Sequence, residues 1–346
     1  MEDISINKEF AVKTLEELLN IPSPTGFCKN VISHIENIVK EYGFKYEKNN
    51  KGNLIIEIEG CDNSYCIGIP VHVDTLGAMV RSINSDGTIR ITTIGGNMFS
   101  TLDGEYCNIH TRSGKVYTGT VLSTSPSVHV FPDAAKKERT EENMMVRLDE
   151  IVQNKEDVLK LNIMTGDFIS IDPKFQITES EYIKSRYLDN KAGTTCAISL
   201  LEIFKRLDIK PKNKVKIIIS TYEEVGHGCS NIPGDIDELI GIDMGCIGLD
   251  LSCTEQDVSI CVKDSSGPYD YDITSKLIDF AKKHAIRYAV DVYPMYGSDV
   301  SASLRGGNNI KGGLIGPGVS ASHGMERTHV EGLINTIKLI FAYLTE

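Results

Sequence analysis

The chain has 346 residues, of which 41% are hydrophobic and 24% charged, and these proportions exclude a disordered chain, a collagen or a coiled coil. Its 48 acidic residues outnumber the 36 basic ones, and a net charge of −12 argues against a nucleic-acid or membrane-surface partner. No stretch reads as a signal peptide or a membrane span, and the nine cysteines form no CxxC pair. We therefore predict a cytoplasmic protein with reduced thiols.

Two amphipathic helices are predicted at the start of the chain. The first covers residues 8–20 and ends at the Pro- and Gly-containing segment 21–26, and the second ends at Gly43. Two strand-like apolar runs follow, over residues 53–60 and 65–74.

Residues 78–175 differ from the rest of the chain in their pattern of apolar residues. Short alternating apolar runs, split by Gly, Asn and Asp, predict a small β-barrel or sandwich there. Beyond residue 187 helices and strands alternate again; we predict a buried strand over 214–222 and helices over 191–207, 271–286 and 332–344. The prediction is an α/β fold, a doubly wound mixed sheet with helices on both faces, formed by residues 1–77 and 176–346 and interrupted by a barrel-like insertion at 78–175.

Acidic residues and histidines recur where the predicted strands end. Open α/β sheets place their sites at the carboxyl ends of strands, so we expect such residues to meet. The residues in these positions are His72, Asp74, Asp189, Glu223, Glu224, Asp243 and His323.

Glu223 and Glu224 are the most informative of these residues. Two adjacent carboxylates at the end of a buried strand repel each other and lose solvation, and divalent cations compensate for both effects. Neighbouring strand residues point to opposite sides, so one glutamate can bind metal while the other acts as a base. Imidazole and carboxylate ligands suit zinc, cobalt or manganese.

Taken singly, most of these residues have a structural alternative. His72 alone is typical of a packed histidine, Asp74 alone could cap a turn, and Asp189 could cap the helix that follows it. Asp243 could bond local amides, and Asp250 is a rival for its role. The ordered set of all these positions favours a metal site over separate structural roles.

The order of the short segments HVD, LDNKAG, EEVG, IDMG and SHG resembles metallopeptidase family forty-two, the glutamyl and tetrahedral aminopeptidases. The similarity extends through the whole chain, and the β insertion is similar to the family's dimerisation domain. The resemblance implies a metallo-aminopeptidase with peptide substrates and two divalent metal ions per subunit. It also implies a homodimer or a homododecamer.

The same resemblance implies a role for each matching residue. Asp189 would bridge both metals, with His72 and Asp243 completing one site and Glu224 and His323 the other. Glu223 would be the general acid/base, and Asp74 would hold His72 in its ligating tautomer.

The substrate is less constrained, because the chain departs from the family pattern around these motifs. Asn190 and Lys191 replace an acid and an arginine, and His227 and Gly228 replace an aliphatic and a basic residue. Asp299 matches a family position near the substrate. Three basic residues are candidates either for neutralising an acidic substrate side chain or for structural ion pairs: Lys263, Arg305 and Arg327.

Two other functions share part of this pattern. A related amidohydrolase or deacylase would have the HxD segment and the glutamate pair, but its insertion usually follows that pair. Here the insertion falls between His72 and Asp189, which favours the aminopeptidase. A metal-binding relative without catalysis would usually have lost the base or a ligand, and this chain retains Glu223 and all five candidate ligands.

Overall fold

The computed structural model describes residues 5–346. They divide into two compact units. The first, called here the α/β unit, takes in the chain up to Asp74 and again from Lys174 to Glu346; the second, the barrel unit, runs from Thr75 to Pro173.

The helices and strands are numbered in chain order. The helices are α1 (Lys8–Leu19), α2 (Lys29–Tyr42), α3 (Lys155–Lys160), α4 (Leu188–Leu207), α5 (Tyr271–Lys283), α6 (Asp299–Arg305) and α7 (Val330–Thr345). The strands are β1 (Lys45–Lys48), β2 (Leu54–Ile58), β3 (Asp62–His72), β4 (Gly77–Ile83), β5 (Ile89–Ile94), β6 (Tyr106–His110), β7 (Val116–Ser123), β8 (Met144–Leu148), β9 (Phe168–Ile171), β10 (Gln176–Ile177), β11 (Tyr182–Ser185), β12 (Asn213–Ser220), β13 (Glu238–Ile242), β14 (Gly245–Cys246), β15 (Val258–Asp264), β16 (Gly267–Pro268), β17 (Tyr288–Val292), β18 (Lys311–Val319) and β19 (Glu326–His329).

Local sequence signals explain where several helices begin and end. The Asn7 side chain accepts a hydrogen bond from the backbone N–H of Phe10 and so caps α1. Asp270 caps α5 in the same way, and α2 ends at Gly43, whose φ of 78° is left-handed. Among the described residues, no helix has the length and apolar character needed to cross a membrane.

A mixed sheet forms the centre of the α/β unit. Within the described residues it contains ten strands in the order β1-β2-β12-β3-β13-β18-β15-β16, with β14 paired to β18 and β17 to β15. The neighbours β12, β3, β13 and β18 are parallel, and antiparallel pairs flank them. The carboxyl ends of these four strands therefore lie at one edge of the sheet.

Helices and loops cover both faces of this sheet. Along β12, Ile217 and Ile219 belong to the core under α1, α2, α4, α5 and α7, whereas Ile218 belongs to the opposite core, which includes Val300 of α6. This alternation follows from the two-residue period of a strand. The predicted α/β fold class, with a mixed sheet covered on both faces, is confirmed.

The barrel unit is a closed barrel with strand order β4-β5-β8-β7-β6-β9. Its core is built from inward-facing residues such as Val80, Ile91, Val121 and Ile169. The predicted barrel-like insertion is therefore confirmed. The alternating runs predicted there, over residues 79–83, 88–94, 115–123 and 167–172, correspond to β4, β5, β7 and β9. The strands β6 and β8 and the helix α3 were not predicted.

Candidate metal centre

The predicted site residues meet at the edge where the parallel strands end. His72 is the last residue of β3, and Asp243 directly follows β13. The Glu223–Glu224 pair follows β12, and His323 lies in the loop between β18 and β19. The strand order therefore brings together residues that are far apart in sequence.

The two glutamates lie in a turn and not in a strand, which corrects one step of the sequence argument. β12 ends at Ser220, and Glu223–Val225 forms a single turn of 3-10 helix. The buried Asp74 carboxylate stabilises this turn, because its Oδ1 and Oδ2 accept the backbone N–H groups of Glu223 and Glu224 at 3.1 and 3.2 Å. The two side chains still diverge: Glu223 Oε2 lies 3.6 Å from His72 Nε2, and Glu224 Oε2 lies 3.7 Å from His323 Nε2.

Asp189 lies at the start of α4, where the backbone is not yet helical. Asp189 and Asn190 have non-helical φ and ψ angles, and the peptide bond between them is cis. The Asn190 side chain accepts the N–H of Gly193 at 3.1 Å and donates to the Ile242 carbonyl at 2.7 Å. Asn190 therefore caps the helix and ties it to β13, which leaves the Asp189 carboxylate available for the site.

Asp189 is central to the cluster. Its Oδ1 lies 3.2 Å from His72 Nε2, and its Oδ2 lies 3.6 Å from His323 Nε2. His72 Nε2 is also 3.8 Å from Asp243 Oδ1. One ligand atom each from His72, Asp189 and Glu224 lie within 4.8 Å of one another. The structure thus brings the other four predicted ligands together around Asp189.

Burial and mutual repulsion dominate the electrostatics of this cluster. Burial raises the pKa of Glu223 and of Glu224 well above the usual range, and neighbouring carboxylates add to the effect. Burial also raises the pKa of Asp243 to about 7, although the His72 imidazole opposes it. Burial would raise the pKa of Asp189, but the hydrogen bond to His72 and the charges of His72 and His323, with the Ser322 hydroxyl, together outweigh burial and lower it. A divalent cation would favour the ionised form of every one of these carboxyls.

His72 is oriented so that one ring nitrogen faces the cluster. Burial lowers the pKa of His72, but the surrounding carboxylates, Glu223 first, outweigh it and raise the pKa well above the usual value. Its Nδ1 lies 3.0 Å from the backbone carbonyl of Asp74 and 3.6 Å from the Asp74 carboxylate. The closer partner of Nδ1 is therefore the Asp74 backbone. The Asp74 carboxylate instead supports the 3-10 turn of Glu223–Val225, called here the glutamate turn, and accepts a hydrogen bond from the Thr25 hydroxyl at 2.7 Å.

The cluster fits a metal. Within residues 5–346, Glu224 Oε1 is a buried oxygen with no hydrogen-bond partner. A buried acceptor without a partner is costly unless a cation or water meets it. Imidazole nitrogens and carboxylate oxygens are also the donors that zinc, cobalt and manganese accept.

Asp243 and Asp250 differ in their surroundings. Asp243 is buried beside His72, and its backbone N–H donates to the Ile315 carbonyl of β18 at 2.9 Å. Asp250 is exposed in a turn beyond β14. The geometry therefore supports Asp243 as the ligand.

The predicted substrate-binding residues have other partners. Asp299 is buried; its Oδ1 accepts the N–H of Cys229 at 2.7 Å, and its Oδ2 accepts the Ser220 hydroxyl. A side chain at Gly228 would place its Cβ 2.4 Å from Asp299 Oδ1, so this position requires glycine. Asp299 thus holds the chain on both sides of the glutamate turn, at Ser220 before it and at Cys229 after it.

The basic candidates have partners outside the cluster. Arg305 donates to the Ser266 hydroxyl at 2.6 Å, and Lys263 donates to the Asp264 carbonyl at 3.0 Å. Arg327 forms an ion pair with Glu255 at 2.7 Å, and its guanidinium lies 4.9 Å from the centre of the Tyr182 ring. The structure does not bring these side chains to the cluster.

Sequence reasoning missed two residues that contact the predicted ligands. Ser322 donates to Asp189 Oδ2 at 3.1 Å, and the buried Glu326 accepts the backbone N–H groups of Asp189 and His323, each at 3.0 Å. Their only signal in sequence is proximity to His323, because neither residue type is a specific marker of a metal site.

Comparison with known proteins identifies the family. Residues 52–339 match the M42 glutamyl aminopeptidase family. The chain belongs to this family. It is 47% identical over 334 residues to "Putative aminopeptidase YhfE" of Bacillus subtilis, with 96% of each chain covered. It is 23% identical to the lysyl aminopeptidase of Pyrococcus furiosus, again with 96% of each covered.

The fold agrees with solved structures. The Pyrococcus horikoshii TET1 peptidase superposes with a TM-score of 0.85 at 23% identity, over 97% of this chain and 99% of that one. Membership of the M42 family confirms the predicted resemblance and the prediction of an enzyme of the metallo-aminopeptidase class.

Proposed function

We propose that this M42 enzyme releases N-terminal residues from peptides by water attack at a dinuclear metal site. The observation that carries the proposal is the orientation of Asp189, whose two carboxylate oxygens face two different histidines, His72 and His323. A bridging carboxylate needs one oxygen toward each metal. The remaining ligands lie on the matching sides: Asp243 near His72, and Glu224 near His323.

Each predicted ligand then has one role. His72 and Asp243 would hold one divalent cation, Glu224 and His323 the other, and Asp189 both. Zinc, cobalt and manganese all suit this set of donors. When bound, such a pair of cations supplies Lewis acidity, which polarises a carbonyl oxygen and makes water more acidic.

Glu223 is the proposed general base and acid. Its carboxylate lies beside the cluster without being needed as a ligand, and Oε2 is 3.6 Å from His72 Nε2. From this position Glu223 Oε2 would take a proton from the attacking water and then deliver it to the leaving amine. Asp74 supports this role by holding the backbone N–H groups of Glu223 and Glu224.

The substrate's free α-amine is the feature that would confine cleavage to the first residue. A protonated amine would be attracted to the carboxylates of this site, and a neutral amine could bind a metal there. An acylated amine can do neither. Relatives of this chain include a lysyl aminopeptidase of Pyrococcus furiosus and a glutamyl aminopeptidase of Lactococcus lactis, so both side chains are to be tested as the first residue. A cavity of about 280 Å³ beside Tyr222, lined by Lys29, Lys48 and Lys51 among others, is a candidate for receiving the side chain of the first residue.

The test is hydrolysis of a panel of aminoacyl amides with Glu, Lys, Leu and Ala as the first residue, each with a free or an N-acetylated amine. The enzyme is stripped of metal and then reloaded with zinc, cobalt or manganese. Metal-dependent cleavage of the free-amine set alone is expected. Cleavage of the acetylated set would instead support a deacylase, and inactivity with two metals bound would support a relative that has lost catalysis.

We also propose that the enzyme assembles through the barrel unit, as a homodimer or a homododecamer, and works in the cytoplasm. Support for assembly comes from large apolar side chains exposed on that unit, including Tyr106, Val116, Val128 and Val130. Light scattering of the enzyme as it elutes from a size-exclusion column would measure the number of subunits.

The proposed cytoplasmic location is supported by the nine cysteines, which are all free thiols and suit a reducing compartment.

A further inference from the structure

Glu326 contacts the backbones of two proposed ligands without being a ligand itself. Its side chain is buried, with 2% of the residue's surface exposed. Oε1 accepts the N–H of His323, and Oε2 accepts the N–H of Asp189, each at 3.0 Å. A single carboxylate therefore joins two ligand-bearing segments that are far apart in sequence.

The strand register explains why these two segments meet at Glu326. β11 and β19 are antiparallel, and Ser185 pairs with Glu326 at the end of the ladder. The chain leaves β11 toward Asp189 and enters β19 from His323. Both ligand segments therefore extend from the same end of the ladder, with the Glu326 side chain between them.

The His323 loop has an unusual backbone that needs such support. Ala321 and His323 have φ angles of 59° and 65°, a left-handed region that non-glycine residues seldom adopt. The loop is closed by the bridge between Ser320 and Arg327, and Gly324 N–H donates to the Ala321 carbonyl at 3.0 Å. Left-handed residues persist where the surroundings hold them, and Glu326 holds the N–H of His323 itself.

A neutral side chain would hold the backbone N–H groups of Asp189 and His323 less well than a carboxylate. A glutamine of the same shape has only one acceptor oxygen, and its NH₂ group would face one of the two N–H donors. Two acceptors facing different donors are what the carboxylate provides.

We propose that Glu326 is a positioning residue that fixes the separation of Asp189 and His323 and thereby sets the affinity for the metal they share. The inference rests on the proposed function, since it presupposes a metal held by Asp189, Glu224 and His323. In the structure Asp189 Oδ2 and His323 Nε2 are 3.6 Å apart. Loss of either Glu326 contact would free one of the two segments.

Titration of metal-free enzyme with Co²⁺ tests the proposal, read by calorimetry and by the visible absorption of bound cobalt. The variants are Glu326→Gln and Glu326→Asp, and the control is Glu331→Gln, the same chemical change in the first turn of α7. In Glu326→Gln we expect one of two cobalt sites to weaken about 10- to 100-fold, with an altered absorption spectrum. Glu331→Gln should match the unmodified enzyme.

Glu326→Asp keeps two acceptor oxygens on a shorter arm, so its cobalt affinity should fall between those of Glu326→Gln and the unmodified enzyme. Circular dichroism of each metal-free variant checks the fold, and if Glu326→Gln misfolds, Glu326→Asp alone decides. Unchanged cobalt affinity and spectrum in the folded variants would overturn the positioning role while leaving the proposed function intact. An unmodified enzyme that binds no cobalt would instead overturn the proposed function, and the inference with it.

Discussion

At the scale of single residues, the site is a set of buried carboxylates with different partners. Asp189, Glu224 and Asp243 face histidines, whereas Asp74 and Glu326 face backbone N–H groups. Residue type alone cannot separate these roles, because all five are acids that lie in loops or turns, at strand ends or at the start of a helix. A proposed ligand is distinguished from a carboxylate that holds the backbone only by what its side chain faces, a histidine or a backbone N–H group.

Replacement of Glu223 by glutamine tests its role directly. The amide cannot accept the proton of the attacking water, so kcat should fall about 100- to 10,000-fold. Metal content, measured by elemental analysis, should stay at that of the unmodified enzyme, since Glu223 is not a proposed ligand. Glu47→Gln, at an exposed position in β1, provides the matched control. Full activity of Glu223→Gln with its metals bound would exclude Glu223 as the base.

At the scale of elements, the apolar pattern predicted the parts that depend on local signals. Helices α1, α5 and α7 and the strand β12 lie close to their predicted ranges. The helices α1 and α5 have an amphipathic period and a capping side chain, whereas α7 and β12 are marked by nearly continuous apolar runs. The helix α6 was missed because its seven residues, DVSASLR, have too few turns for an apolar period. The 3-10 turn of Glu223–Val225 was missed because it depends on Asp74, which comes from another part of the chain.

The site was predicted less completely than the fold. Its ligand candidates could be selected because they follow apolar strands, a feature visible in sequence. The contacts of Glu326 and Asp299 depend on strand order and on close backbone approach, which a single sequence does not reveal. The basic candidates Arg305 and Arg327 had no such positional signal, and both have partners away from the cluster.

Gly316 of β18 lies against the backbone of Asp243, so the packing of this strand affects the position of a proposed ligand. A Cβ there would lie 1.4 Å from the Asp243 carbonyl oxygen, so Gly316→Ala must push β18 away from the end of β13. We expect unfolding free energy to fall by about 1–3 kcal/mol and activity to fall with it, since Asp243 moves. Gly234→Ala, whose Cβ would meet no atom within 4 Å, is the control. Equal denaturation midpoints for the two variants would contradict this account.

At the scale of the whole molecule, metal binding and stability should be linked. The proposed ligands come from the end of β3, from the segments after β12, β13 and β18 and from the start of α4, so a cation bound there would hold these elements together. A ligand that binds only the folded state stabilises it by about 2.7 kcal/mol per site when free metal is 100 times Kd.

Chelation should therefore lower the thermal midpoint, and reloading should restore it. The expected shift of the thermal midpoint is about 1–2 °C for each kcal/mol in a chain of this length, measured by calorimetry at fixed protein concentration. Asp189→Asn, which removes the proposed bridge, should lose most of this response to metal. Identical midpoints for metal-free and reloaded enzyme would argue that the cluster binds no cation tightly.

The wide spacing of the ligands along the chain has a consequence for the cell. The pairing of β3, β13 and β18 brings His72 and His323 together, and contacts between such distant segments require long loops to close first. A partly synthesised or misfolded chain would have no complete site and could not cut peptides. Assembly of the sheet thus acts as a safeguard, since hydrolytic activity arises only in a finished molecule.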